Sequence, residues 1–415
     1  MPDRVIVVGG GLVGLCTAWF LRAAGASVTV LEAERPGSGA SRGNAGAICP
    51  SLVDPLPAPG TIRRAFLSMP RSDAALHVRP TYAPRMAGFL RRFAAAATRE
   101  RYEAGYAALA GLAAGAGGAW DVLAAGGVLG DARREGYLIV HAERSDAERS
   151  LAHVCRAASL GLCREPGELL DHDGLVQREP LLGAGARAGF VIPDERWVDP
   201  SVLVDELAAA LVRSGVELVE GSPVDDVRDG PDDVVVHGGG SMRRADAVVV
   251  AAGVWSAGLL RRLVRLPLLP GKGYSFSLRP ASLPVRVVHL EDAHVMLTPM
   301  GDRLRVAGTM EFDGTTGRFN PRRIDAIVRA VRPFLDRDVE LDRRGEEWVG
   351  PRPITPDGLP YLGAVAGHPR VFVAAGHNML GLTLAAVSGR AIAGLVGGGE
   401  RRPELDPFDP GRFGG

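Results

Sequence analysis

Cysteine is scarce, with four residues in 415: Cys16, Cys49, Cys155 and Cys163. They form no CxxC pair and no metal-ligand spacing. The pattern therefore offers neither a disulfide framework nor a structural zinc site, and it suits a reducing compartment. An excess of charge is also missing. Lys+Arg and Asp+Glu both count 48, which leaves no basic footprint for nucleic acid and no signal for a strongly acidic substrate. No window reaches the roughly 18 apolar residues of a membrane-spanning helix, and the first strand begins too early for a signal peptide ahead of it. The expectation is a cytoplasmic protein. What is present is a globular balance, 46% hydrophobic and 23% charged, in a chain long enough for two cores. Thr61-Ile62-Arg63-Arg64-Ala65-Phe66-Leu67 and Met86-Ala87-Gly88-Phe89-Leu90-Arg91-Arg92-Phe93 mix arginine with large apolar residues at helical spacing. Such stretches suit either peripheral contact with an anionic membrane or helices that bury one face.

The densest signal lies at the N-terminus. Arg4-Val5-Ile6-Val7-Val8 reads as a buried strand, and Gly9-Gly10-Gly11-Leu12-Val13-Gly14 follows as G-x-G-x-x-G, opening a helical pattern from Leu12 to Ala24. Gly25 ends that helix, and Ser27-Val28-Thr29-Val30-Leu31 supplies a second strand closing on Glu32 and Ala33. Strand, glycine turn, helix, strand and acid together make a dinucleotide-binding unit. The glycines permit a tight turn and close backbone approach, so a pyrophosphate can sit against N–H groups that lack partners. Glu32 is placed to accept hydrogen bonds from an adenosine ribose. This unit alone serves NAD or FAD equally well.

Related patterns return twice. Asp199-Pro200 starts a helical run from Ser201 to Ser214, followed by a strand from Val216 to Gly221 and short strands from Val224 to Arg228 and Val234 to His237. Ala247-Val248-Val249-Val250-Ala251 then runs into Ala252-Gly253-Val254-Trp255-Ser256, a glycine turn that can touch the dinucleotide from a second side, with Val224 as a further candidate contact. Val371 to Ala375 leads into Gly376-His377-Asn378-Met379-Leu380-Gly381 and an apolar helix to Val396. The expected architecture is an α/β, doubly wound (Rossmann-like) domain assembled from residues 1–60, 198–262 and 345–400. Residues 61–197 and 263–344 read as an inserted α+β domain. It holds Ala-rich helical spacing, alternating strands of an antiparallel sheet over 272–309, and a helix from Asn320-Pro321 to about Phe334. Such a domain is suited to cover one face of a flat cofactor. Residues 401–415 read as a loose tail.

Five motifs in order carry a resemblance: Gly9-x-Gly11-x-x-Gly14 with Glu32; Gly39-Ala40-Ser41-Arg42-Gly43-Asn44-Ala45-Gly46; Ala251-Ala252-Gly253-Val254-Trp255-Ser256; Trp348-Val349-Gly350-Pro351-Arg352-Pro353 with Asp357-Gly358-Leu359-Pro360; and Gly376 to Thr383. Over nearly its whole length the chain resembles the FAD-dependent D-amino-acid oxidase/dehydrogenase family, in particular its glycine-oxidase and bacterial D-amino-acid-dehydrogenase branches. Asn44-Ala45-Gly46 with the prolines after it, and Gly271-Lys272-Gly273-Tyr274-Ser275, are similar to the dehydrogenase branch.

The resemblance implies FAD and oxidation of the Cα–N bond of an amino acid, a D-amino acid or cyclic imino acid, to an imine by hydride transfer to the flavin. It gives Arg352 the substrate carboxylate, a task that suits the planar guanidinium fork. It also implies non-covalent FAD. In related sarcosine oxidases a flavin-linked cysteine precedes the aspartate of a T-P-D segment by seven residues; counted from Asp357, that position is Gly350. Met379 stands where glycine oxidase places a second arginine, which leaves room for a larger or more apolar side chain. On physical grounds Gly43 to Gly46 let the backbone approach the flavin, and Ser41 and Arg42 reach the pyrophosphate. The run Gly376, Asn378, Met379, Leu380, Gly381, Leu382 and Thr383 turns a helix N-terminus toward the flavin's pyrimidine oxygen. Tyr274 and His377 are candidates for the substrate pocket, each with simple packing as its alternative. His289 and His294 are further candidate bases, though the chemistry demands none. Open at this point are a sarcosine-like or other amine substrate, a role as one subunit of a hetero-oligomeric dehydrogenase, and oxygen or a quinone or respiratory carrier as electron acceptor.

Overall fold

A computed structural model describes residues 2–60, 74–129, 132–399 and 403–414. Its first domain is built on a six-stranded sheet in the order Tyr361–Val365, His368–Ala375, Ala247–Val250, Arg4–Val8, Ser27–Leu31, Glu217–Val219. All neighbours run parallel except the first pair. The central strands are continuously apolar because both faces are covered. Helices Leu12–Ala23, Pro200–Arg213 and Gly381–Val396 cover one face through Leu15, Leu207 and Ile392. The other face carries an antiparallel ribbon, Val224–Asp229, Val234–Gly238 and Ser241–Ala245, packed through Val227 and Val236 onto Ile6, Val248 and Val373. Small residues let the first and last helices cross closely: a Cβ on Gly389 would lie 2.7 Å from the carbonyl carbon of Cys16. Gly14 has a different reason: a Cβ there would collide with the carbonyl oxygen of Gly9, so its absence lets the helix pack against the turn that leads into it.

The second domain is a nine-stranded sheet in the order Gly345–Ile354, Leu269–Leu278, Arg303–Phe312, Val295–Met300, Val287–Leu290, Tyr137–His141, Ala188–Ile192, Leu170–Asp171, with Leu76–Val78 beside Arg303–Phe312. It is mixed rather than wholly antiparallel, because Val287–Leu290 with Tyr137–His141 and Leu76–Val78 with Arg303–Phe312 pair in parallel. Helix Pro321–Val331 is capped by the Asn320 side chain on the Arg322 N–H and covers one face through Ile324, Ile327 and Val331. The opposite face looks across a cleft at the first domain.

Three boundaries differ from expectation. Strand Gly345–Ile354 belongs to the second sheet, where it pairs with Leu269–Leu278 from Leu269↔Ile354 to Ser277↔Gly345. Helices Arg99–Ala113 and Ala116–Ala125 belong to the first core, where Leu109, Trp120 and Leu123 are fully buried. Together they form Arg99–Ala125, the one stretch among the described residues long and apolar enough to cross a membrane, where none was expected. The Thr61–Leu67 stretch lies outside the described residues, whereas Met86–Phe93 enters helix Ala87–Ala96, with Met86 buried and Leu90 exposed.

The third difference is the C-terminus, which is docked rather than loose. Turn Pro403–Phe408 buries Leu405 and Phe408, and Arg412 forks onto Asp357 at 2.7 and 3.0 Å while lying 4.1 Å from the centre of the Tyr361 ring. Its polar, proline-rich composition hid two anchoring side chains. Phe408→Ala is expected to lower the unfolding free energy by about 3 to 5 kcal/mol, as for other buried phenylalanines. Urea denaturation reads this, and a loss below about 1 kcal/mol would mean that the segment contributes no core.

Candidate active site

The carboxyl end of strand Arg4–Val8 is where the strand order reverses, the place where an open α/β sheet leaves a crevice. The crevice continues between the domains as a cleft of about 1730 Å³, larger than the roughly 300–1,000 Å³ of a drug-sized pocket. A dinucleotide and a small substrate fit together. Helix Leu12–Ala23 begins here with Gly11 as N-cap, and the Leu12 N–H donates to Ser41 Oγ at 3.1 Å. The remaining first-turn N–H groups have no acceptor within the helix. Glu32 is held at the rim: its Oε2 accepts from the Gly10 N–H at 2.7 Å and its Oε1 from the Glu34 N–H at 3.0 Å. Helix Gly381–Val396 also starts on the cleft, again without a side-chain cap. Two positive helix ends on one cleft suit a ligand carrying negative charge in two places.

Most positions singled out in the sequence meet here. Gly9, Gly11, Leu12, Val13, Glu32, Ala33, Ser41, Gly43, Asn44 and Ala45 line the cleft from one side. Val224, Ala252, Gly253, Trp255, and the run from Gly376 to Thr383 line it from the other. Gly14, Arg42 and Gly46 lie off the lining. Gly14 packs beneath its own turn. Arg42 points away from a pyrophosphate: its guanidinium pairs with Asp205 on helix Pro200–Arg213 and donates to the Pro36 carbonyl. The glycines of the 43–46 loop also have another reason than the one expected. A Cβ on Gly43 would strike the indole of Trp348, and one on Gly46 the carbonyl of Val198. Trp348, which sequence reasoning left without a role, thus rests in a notch of the loop and lines the cleft.

Side chains in the last motif turn inward. Asn378, at φ 52°, donates to Thr355 Oγ1, the Gly358 carbonyl and the Gly376 carbonyl, and accepts from the Thr355 N–H. It staples two loops rather than presenting its amide to a ligand. His377 is buried with Nε2 2.9 Å from Ser388 Oγ, and burial pushes its pKa down to about 4, so the ring is neutral at pH 7. Thr383 Oγ1 accepts from the Cys49 N–H at 3.1 Å, tying the helix start to the segment that follows the 43–46 loop.

The far end of the cleft is framed by the second sheet. Arg352 lies there over Gly273, where a Cβ would collide with its guanidinium. One N–H donates to the Thr309 carbonyl at 2.8 Å. Among the described residues no carboxylate pairs with it, and burial lowers its pKa to about 10. Nearby charges are treated in the opposite way. Lys272 is fully buried with Glu311 at 2.9 Å and Asp313 at 2.8 Å. Burial pushes the Glu311 carboxyl up, but hydrogen bonds from Tyr274, Asn320 and Lys272 outweigh it and hold the group below its usual range. The Tyr274 hydroxyl is committed to Glu311, which leaves it no donor for a substrate. His289 lies on the cleft wall with Nδ1 3.1 Å from Glu291, and His294 borders the cleft at φ 51°.

Sequence reasoning missed the apolar lining contributed by Val78, Met86, Met310, Phe312 and Ile354. The adjacent Gly308-Thr309 inside a strand pattern is the signal that could have found part of it, since such a pair marks a bulge.

Residues 4–395 match the family model described as "FAD dependent oxidoreductase" (DAO). D-amino acid dehydrogenase from Methylobacterium nodulans is 34% identical over 418 residues, spanning 97% of this chain and 96% of that protein. The enzyme of the same name from Methylobacterium radiotolerans is 34% identical, spanning 99% of each chain. Among solved structures, glycine oxidase from Geobacillus kaustophilus superposes with a TM-score of 0.74 at 23% identity over 100% of both chains. L-amino acid deaminase from Proteus myxofaciens gives 0.73 at 16% identity over 100% of this chain and 95% of its own. At such identities the structural likeness shows the fold alone. Family match and relatives together span nearly the whole chain, which belongs to the DAO family of FAD-dependent oxidoreductases and has FAD as its cofactor.

Proposed function

We propose that this protein oxidises the Cα–N bond of a D-amino acid, or of a cyclic imino acid, to the imine, which water then releases as a keto acid and ammonia or leaves as a cyclic imine. The observation that carries this reading is Arg352, a half-buried cation on the cleft wall that has a carbonyl neighbour and, among the described residues, no acid. FAD supplies the hydride acceptor. Arg352 binds the substrate carboxylate through two parallel hydrogen bonds, and the Thr309 carbonyl fixes the guanidinium in place. The N-terminus of helix Gly381–Val396 offsets the negative charge that reduction leaves on the cofactor. His377 takes no proton, being neutral and bound to Ser388. An amine bound in its neutral form needs no protein base.

The FAD is held without a covalent bond, since Gly350 offers no nucleophile. The enzyme is cytoplasmic and works as a dehydrogenase, consistent with the names of its relatives, and passes electrons to a quinone or respiratory carrier rather than to oxygen. Helix Ala87–Ala96, with Leu90 exposed beside Arg91, is the segment that touches an anionic membrane face in this reading.

Arg352→Ala is expected to raise KM about 100-fold, the scale of a lost charge-assisted fork, and Arg352→Lys to recover only part of it. Anaerobic bleaching of the flavin band reads both, and unchanged apparent affinity in Arg352→Ala would remove the carboxylate role. The cationic form of Arg352 binds the anion and is lost as pH rises through about 10. Once the ionisation of the substrate amine, which enters kcat/KM as well, is divided out, kcat/KM is therefore expected to fall above that pH in the wild type. For the cofactor, acid precipitation should leave all flavin in the supernatant, and Glu32→Ala should weaken FAD binding to the apoprotein by about tenfold. Flavin in the pellet, or unaltered FAD affinity, would refute the respective assignment.

A further inference from the structure

The wall beside Arg352 carries a second kind of information. In strand Arg303–Phe312, Leu304 and Val306 face helix Pro321–Val331. Regular alternation would send Met310 and Phe312 the same way and would turn Glu311 into the cleft beside Arg352. The opposite occurs. From Tyr274↔Gly308 to Lys272↔Glu311 the register shifts, so that three steps along one strand match two along the other. The extra residue sits next to Thr309, whose φ is 57°. A bulge of this kind exchanges the two faces of a strand beyond it. Glu311 is thereby removed to the helix side, where Lys272 and Asn320 satisfy it. Met310 and Phe312 enter the cleft lining with Ile354.

The apolar wall and the cation share one floor. Arg352 and Ile354 project from the same face of their strand, two residues apart. Beneath them, a Cβ on Gly271 would stand 2.6 Å from Ile354 Cγ1 and 3.2 Å from Met310 Sδ, and the Cβ position of Gly273 is taken by the Arg352 guanidinium. The two glycines thus allow the cation and the apolar surface to settle side by side.

Resting on the carboxylate role of Arg352 proposed above, we infer that Met310 and Phe312, backed by the fully buried Ile354, form a side-chain subsite that selects amino acids with large branched or aromatic apolar side chains. Thr309 acts as the positioning residue that brings the first two into it. With the carboxylate on Arg352, the substrate's side chain lies along this wall. Each buried methylene in such a pocket discriminates by roughly 10-fold or more, whereas a charged side chain loses its hydration there without gaining a partner.

The test is steady-state turnover of the holoenzyme with an artificial electron acceptor, paired with anaerobic flavin bleaching, on D-alanine, D-leucine, D-phenylalanine, D-arginine and D-glutamate. D-Leucine and D-phenylalanine are expected to exceed D-alanine in kcat/KM by about tenfold or more, with both charged substrates below D-alanine. Phe312→Ala should reduce the D-phenylalanine to D-alanine ratio about tenfold, chiefly through KM. Thr309→Gly, which tolerates the same backbone angle, should keep that ratio, and Thr309→Pro, whose ring fixes φ near −65° and forbids that angle, should lose it. Bleaching by D-alanine or D-arginine in preference to the large apolar substrates would overturn the subsite and leave amino-acid oxidation standing. Failure of every amino acid to bleach the flavin would overturn the oxidation reading itself, and the subsite with it.

Discussion

The cleft depends on how one irregular loop is held between two sheets. The loop around Gly43 to Gly46 has no ladder of its own, yet its carbonyls are buried at the domain seam. Ser275 Oγ donates to the Gly43 carbonyl at 2.8 Å, Thr298 Oγ1 to the Ala45 carbonyl at 2.7 Å and the Val198 N–H to the Gly46 carbonyl at 2.9 Å. Asn44 closes the loop internally, accepting from the Gly46 N–H and donating to the Ser41 carbonyl. Buried carbonyls without partners are costly, so these bonds fix the distance between the second sheet and the first. Every cleft-facing group on the second sheet, Arg352 included, inherits its position from that seam.

Two neighbouring sets of buried charge show how the same environment serves different ends. Lys272, Glu311, Asp313, Tyr274 and Asn320 satisfy one another, and the network joins the bulged strand to the start of helix Pro321–Val331. Removing one member of such a set leaves the others unpaired, which is why they act as structure. Arg352 is half-buried on the cleft, and its hydrogen-bond partner among the described residues is a backbone carbonyl. A half-buried cation without an acid beside it suits the carboxylate role proposed for it. The bulge at Thr309 separates the two sets, because without it Glu311 would face Arg352 and neutralise it.

The first domain was legible because its signals are local. Continuous apolar strands, the G-x-G-x-x-G turn and Glu32 at a strand end are consequences of short-range geometry, and the structure has the strands Arg4–Val8 and Ser27–Leu31 and the helix between them where the pattern indicates. The same holds for the alternating strands between residues 269 and 312 and for the helix that Asn320-Pro321 starts. Harder to read were segments whose partners are distant in sequence. The Ala-rich helices Arg99–Ala113 and Ala116–Ala125 gave no sign that they pack in the first domain's core, and the anchoring of Phe408 was concealed by polar neighbours.

The amino-acid sequence by itself determined the dinucleotide unit, the two-domain division in outline, the family resemblance and the candidate status of Arg352, because each rests on residue type at fixed spacing along the chain. Tertiary structure alone decided where the side chains point. Arg42 carries the right charge for a pyrophosphate, yet Asp205 on another helix claims it. Tyr274 has a hydroxyl at the right strand, yet Glu311 takes it. Gly43 is a glycine for the sake of Trp348, some 300 residues away in the chain. A side chain's direction follows from competition among all the partners that folding brings within reach, and a linear pattern does not contain that competition.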